Sequence, residues 1–117
     1  MNAADPQDPL PLEIDVQAVA ALQQQQADFL LLDVREPDEY ATANLEGAKL
    51  IPLGELGGRV AELEPHREGH VVVHCHHGGR SRRVVEALRE AGFPRVQNMT
   101  GGIDAWSQEI DPAVPRY

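Results

Sequence analysis

Val71-Val72-Val73-His74-Cys75-His76-His77-Gly78-Gly79-Arg80-Ser81 is the stretch on which the reading of this chain turns. Three β-branched residues in a row favour a strand. Two glycines then break it, and Val84, Val85 and Leu88 recur at the spacing of one helix face. The only cysteine among the 117 residues therefore sits where a strand ends and a helix begins. A helix N-terminus points unpaired N–H groups at that junction, and such groups favour negative charge. A thiol held there is acidic and nucleophilic. The competing reading is an inert cysteine buried at the end of a core strand. The order strand, glycines, arginine, helix favours the reactive one.

The flanking segments place this junction in a sheet. Phe29 to Val34 is an apolar run interrupted only by Asp33, which suits a strand buried on both faces of a parallel sheet. Val96 to Met99 and Ala48 to Ile51, the latter closed by Pro52, read as shorter strands, and Ile14 opens another. Asp15 is placed to cap a helix through Gln25, whose Val16, Val19, Ala20 and Gln23 recur with helical period. Pro37 suits the first turn of a short helix through Tyr40 and Ala41. Leu53, Leu56, Val60 and Leu63 predict a helix ended by Pro65, Gly92 stops the helix carrying Val84 to Leu88, and Ile103 to Trp106 forms a last one. Strands alternating with helices predict an α/β fold. We expect a single domain with a mostly parallel central sheet of about five strands and helices on both faces. Residues 1–11, rich in Pro and Asp, read as a loose lead-in, 12–110 as the domain, and 111–117 as a tail.

Composition narrows the partners. Ten Lys plus Arg against 19 Asp plus Glu give a net charge of -9, which argues against nucleic acid or an anionic membrane surface. A single cysteine cannot close an internal disulfide, so no oxidising compartment is implied. The start, Met1-Asn2-Ala3-Ala4-Asp5-Pro6, lacks a basic segment followed by an apolar run, and no stretch is long and apolar enough for a bilayer. The expected setting is the cytoplasm. A metal is not expected either. His74, Cys75, His76 and His77 are adjacent, but neighbours on an extended chain point in alternating directions, and no Cys-x-x-Cys or His-x-x-x-His pair is present.

Ligands of open parallel sheets bind outside the carboxyl ends of the strands. Asp33 and Arg35 follow one strand, Cys75 another and Thr100-Gly101-Gly102 a third, so topology brings them to one edge. Four motifs also stand in order: Asp33-Val34-Arg35-Glu36-Pro37, Glu46-Gly47-Ala48 with Ile51-Pro52, Cys75 to Ser81, and Gly101-Gly102-Ile103-Asp104-Ala105-Trp106. Together they resemble the rhodanese family of sulfurtransferases, over nearly the whole chain after Leu12. The resemblance implies a persulfide mechanism without a cofactor. The Cys75 thiolate takes the outer sulfur of a donor such as thiosulfate and passes it to cyanide or a protein thiol, for example on a thioredoxin-like partner. Cys75 and Arg80 are then the catalytic pair. His76, His77, Gly78, Gly79 and Ser81 line the anion cradle, with Asp33 and Arg35 as an orienting pair beneath it. Four residues separate Cys75 from Arg80. Phosphatases built on the same fold carry one more, which widens the loop for a tetrahedral phosphate, so phosphate ester hydrolysis is not expected.

Independently of the family, Gly78 and Gly79 permit the backbone angles that a cradle of N–H groups demands. Arg80 suits a thiolate or a donor oxyanion, or else an ion pair with Asp33 or Glu36. His76 and His77 stand where the family often has Arg or Lys, and being mostly neutral near pH 7 they give the cradle less permanent charge. Arg82 and Arg83 form a local basic patch or an ordinary solvated face. Asn44 stands where the family often has histidine, and its side chain can hold a turn. Gly101 and Gly102 suit a pocket wall or a helix-entry turn, and Trp106 the core. Two readings other than a small-molecule sulfurtransferase remain: a sulfur-relay or docking module served only by a partner protein, and a thiol-based redox sensor.

Overall fold

Side-chain alternation along the central strands separates the core into two layers. The structure, a computed structural model, describes residues 10–117, so most of the lead-in expected over 1–11 lies outside the described residues. β1 (Glu13–Ile14), β2 (Phe29–Asp33), β3 (Lys49–Leu50), β4 (His70–His74) and β5 (Val96–Met99) form one sheet in the order β1-β5-β4-β2-β3. All four pairings are parallel. Successive strand residues face opposite sides. Val71, Val73 and Cys75 accordingly join Leu32 and Val34 in the layer beneath Val84, Val85 and Leu88. Val72 and Leu31 face the other layer, with Val16, Val19, Met99, Ile103 and Trp106. The five parallel strands and the helices on both faces are those expected from the sequence.

The helices form where their caps and stripes dictate. α1 (Val16–Gln24) is capped by Asp15, whose carboxylate accepts the Ala18 N–H at 2.8 Å. α2 (Pro37–Thr42) begins on Pro37, with a reciprocal capping box between Glu36 and Glu39. α4 (Gly79–Glu90) buries Ser81, Val84, Val85 and Leu88, the single stripe that a helix packed on a sheet requires. α5 (Gly102–Glu109) runs further at both ends than the expected Ile103 to Trp106. The segment from Leu53 differs from its expected single helix. It is a 3₁₀ turn (Leu53–Glu55), one α turn α3 (Leu56–Arg59) and a 3₁₀ stretch (Val60–His66) containing Pro65. Gly57 and Gly58 are poor helix formers and lie at its centre, so the register drifts. Leu63 stays buried while Val60 turns outward, 38 % exposed. Pro65 is accommodated inside the 3₁₀ stretch rather than ending a helix.

Candidate functional site

The strand-to-helix junction builds an anion cradle around one sulfur. Cys75 continues the parity of Val71 and Val73, so its side chain turns toward the N-terminus of α4. Gly78 adopts φ +110°, a left-handed conformation that a side chain would strain, and this folds the loop back over the sulfur. Sγ then accepts the Gly78 N–H at 3.2 Å, the Ser81 N–H at 3.4 Å and faces the Ser81 hydroxyl at 3.4 Å. Burial pushes the thiol up; the Ser81 hydroxyl and the N–H groups of Ser81, Gly78 and Arg80 outweigh it, leaving the thiol below its ordinary range. The residue itself is 1 % exposed. The cysteine is therefore buried, and its sulfur is nevertheless the focus of the donors.

α5 clamps the loop from behind. Its first N–H groups, from Ile103 and Asp104, donate to the carbonyls of Cys75 at 2.9 Å and His76 at 3.1 Å. Such an approach leaves no room for a side chain at Gly102 (φ +61°), where a Cβ would lie 2.5 Å from the Cys75 carbonyl oxygen. Gly102→Ala is expected to lower stability by about 2–4 kcal/mol, overpacking and left-handed strain combined, and to displace the thiol loop. Gly79→Ala is the control: a Cβ there meets nothing within 4 Å. Urea denaturation of both variants checks this, and equal midpoints would remove the clamp.

Arg80 is paired, but with neither acid expected from the sequence. Its guanidinium grips Glu39 of α2 through two contacts, 2.7 and 2.9 Å. Asp33 is taken up by Arg35, and the Glu36 N–H bonds the same Glu39 carboxylate at 3.0 Å. The Arg80 contact, ahead of the opposing effect of burial, holds Glu39 down to about 2. Asp33 and Arg35 are fully buried on the face opposite the thiol. Arg35 Nη2 donates to Asp33 Oδ2 and to the Ala43 carbonyl, each at 2.7 Å, and Nη1 to the Tyr117 hydroxyl at 2.9 Å. The pair thus braces the strand ends from beneath rather than reaching the sulfur.

Residues 111–117 return across this edge. The Tyr117 ring stacks on His76 with centroids 3.9 Å apart at 8°, and its hydroxyl donates to Glu39 at 2.8 Å. Arg116 pairs with Asp104 at 2.9 Å. His77 is exposed, with its ring tilted by 32° against that of His76, centroids 3.9 Å apart. Strand alternation predicts that these two histidines diverge, and they do not, because both lie beyond β4 in the loop. Together with Asp104 they place potential ligand atoms within 4.8 Å of one another, although Asp104 already accepts from Arg116 and Gln108. Arg82 and Arg83 lie exposed on α4. Asn44 donates to the Tyr40 carbonyl at 3.0 Å and holds the turn after α2. Trp106 is core.

Two buried groups escaped the sequence reading. Asn98 on β5 accepts the Ser81 hydroxyl, a long-range pairing for which the chain offers no local signal. His74 lies fully buried beside Asp33, its Nε2 without a hydrogen bond. Burial holds its imidazole below the ordinary value, against the opposing charge of Asp33. The unfolded chain therefore takes up this proton first, and the stability it protects is complete above about pH 6.5 and lost below. The urea midpoint is expected to fall from pH 7.5 to 5.5, with a smaller fall in His74→Gln. His70 and His76 are shifted in the same direction, so some slope persists. A cleft of about 510 Å³ lies elsewhere, against Phe29 at the opposite end of β2, lined by Gln23, Gln26 and Glu46.

Comparisons with known proteins agree with this geometry. The family model for the rhodanese-like domain matches residues 15–109. A sulfurtransferase of Allochromatium vinosum is 33 % identical over 102 residues, covering 87 % of this chain and 94 % of that one. The chloroplastic rhodanese-like/PpiC domain-containing protein 12 of Arabidopsis thaliana is 42 % identical over 91 residues, which are 74 % of this chain and 30 % of that protein. The crystal structure of thiosulfate sulfurtransferase from Pseudomonas aeruginosa superimposes with a TM-score of 0.74 at 33 % identity, covering 86 % of this chain and 19 % of that one. This chain spans between about a fifth and a third of the length of the first curated relatives it matches. Among the described residues, no helix is long and apolar enough to cross a membrane. With the sheet order, the thiol loop and the family match in agreement, the chain belongs to the rhodanese-like domain family.

Proposed function

We propose that this domain transfers sulfane sulfur through a persulfide on Cys75. The Cys75 thiolate attacks the outer sulfur of a donor such as thiosulfate, forming a new S–S bond while sulfite leaves with the electron pair of the old one. A thiophilic acceptor, cyanide or a protein thiol, then attacks that outer sulfur, and the Cys75 thiolate leaves. The observation carrying this reading is the convergence of two N–H groups and a hydroxyl on one sulfur. The two N–H groups, fixed in advance, stabilise the anion that attacks and the anion that is released, with no reorganisation of their own at the moment of reaction. In this reading Arg80 exchanges Glu39 for the oxyanion end of the donor, and His76 and His77 line its approach. Asp33 and Arg35 keep the strand ends in place. Free thiol chemistry of this kind suits a reducing compartment such as the cytoplasm.

Intact-mass measurement after exposure to thiosulfate and other sulfane donors tests the proposal. One sulfur atom is gained, and cyanide or a dithiol removes it; a mass unchanged by every donor, small or protein-borne, overturns the reading. Access to the thiol offers a second expectation. Tyr117 covers one face of His76 and bonds the Glu39 carboxylate that occupies Arg80. Tyr117→Ala is therefore expected to speed alkylation of Cys75 by iodoacetamide about three- to tenfold, by raising the fraction of open molecules. Alkylation rates at pH 7 check this, and an unchanged rate would show that the tail does not guard the sulfur.

A further inference from the structure

We infer that Asn98 is a positioning residue that competes with Cys75 for the single hydrogen of the Ser81 hydroxyl, and so sets how readily the thiol gives up its proton. Asn98 is held in one orientation. Its Nδ2 donates to both carboxylate oxygens of Glu13, at 3.0 and 3.2 Å, and to the Gly78 carbonyl at 3.3 Å. All of these partners are acceptors, so Oδ1 must be the atom that faces Ser81. Ser81 Oγ lies within hydrogen-bond distance of that Oδ1 and 3.4 Å from Cys75 Sγ. Ser81 is fully buried and Asn98 is 3 % exposed.

A hydroxyl owns one hydrogen and two lone pairs. While the sulfur is protonated every group is satisfied: the S–H donates to Ser81 Oγ and the O–H donates to Asn98 Oδ1. When the proton leaves the sulfur for a base in solvent, the thiolate has no hydrogen to offer. Ser81 can then donate to the sulfur only by withdrawing from Asn98, which leaves a buried amide oxygen without that donor. The N–H groups of Gly78 and Ser81 have no such choice and favour the thiolate throughout. Asn98 therefore opposes what the amides promote, through a hydrogen that either neighbour can hold. The assignment concerns only the thiol and its proton, so it stands or falls separately from sulfur transfer.

The pH dependence of Cys75 alkylation by iodoacetamide tests it, because the rate follows the thiolate fraction. In Asn98→Ala the midpoint falls by about one pH unit, a tenfold gain in thiolate at low pH. In Ser81→Ala the midpoint rises, and adding Asn98→Ala to that background moves it no further, since without the hydroxyl there is nothing to compete for. General loosening of the fold would carry the midpoint toward the free-cysteine value of about 8.5, in the opposite direction. A midpoint that is unchanged or raised in Asn98→Ala overturns the inference, as does a fall that persists in the double variant. Should Asn98→Ala fail to fold, Ser81→Ala decides alone: it loses one oxygen from the first turn of α4, and a midpoint it does not raise overturns the inference.

Discussion

Cys75→Ser is expected to gain no sulfur from any donor while keeping its fold. The substitution replaces one atom of similar size at the carboxyl end of β4, so stability changes by no more than about 1–2 kcal/mol. The chemistry is a different matter. The cradle acts by stabilising an anion, and a serine hydroxyl is far too weak an acid to become one near neutral pH, however many N–H groups face it. An oxygen at this position also leaves poorly from a bond to sulfur, so even a trapped adduct would not be passed on. Loading measured by intact mass should drop below detection, with far-UV circular dichroism and the urea midpoint close to wild type. A serine variant that still gains sulfur would place the transferred atom somewhere other than residue 75. As the only cysteine in the chain, Cys75 leaves no second thiol to confuse the result.

Breaking the Asp33–Arg35 pair is expected to have the largest effect on stability. Both side chains are fully buried, and Arg35 Nη2 lies 2.7 Å from Asp33 Oδ2. Arg35→Met keeps much of the apolar stem but strands a carboxylate in the interior and takes the guanidinium from the Ala43 carbonyl. Removing one member of a buried pair costs about 3–5 kcal/mol, because the remaining charge has lost both water and partner. A domain of this size typically holds about 5–15 kcal/mol in all, so the variant is expected near the edge of folding. Asp33→Asn combined with Arg35→Met should recover part of the loss, since no full charge then remains unpaired. Urea denaturation of the single and double variants measures this, and a single-variant loss under about 1 kcal/mol would mean that the brace does not bear on stability.

Much of the architecture was legible in local pattern. β-Branched and apolar runs marked four of the five strands, and Asp15, Pro37 and Gly92 marked helix ends, because capping and φ preferences act over a few residues. The segment from Leu53 to His66 departs from its expected helix because its apolar spacing suits a helix as well as a chain of 3₁₀ turns, and Gly57 and Gly58 weaken the helix at its centre. The thiol loop was legible too: strand, glycine and helix start define where N–H groups point. The partner of Arg80 was not. Glu39 lies 41 residues away, and nothing in its own neighbourhood sets it apart from Glu36 or Asp38 as a partner for that guanidinium.

Order along the chain settled the α/β class, the place of Cys75 just past the carboxyl end of a strand and the backbone N–H groups that meet it there, since each follows from interactions between near neighbours. How deeply the sulfur is covered, which acid holds Arg80, and that Asn98 and Tyr117 belong to the site at all were settled only by folding. Those contacts join β5, α2 and the 111–117 segment across long sequence separations, where packing alone decides which side chains meet.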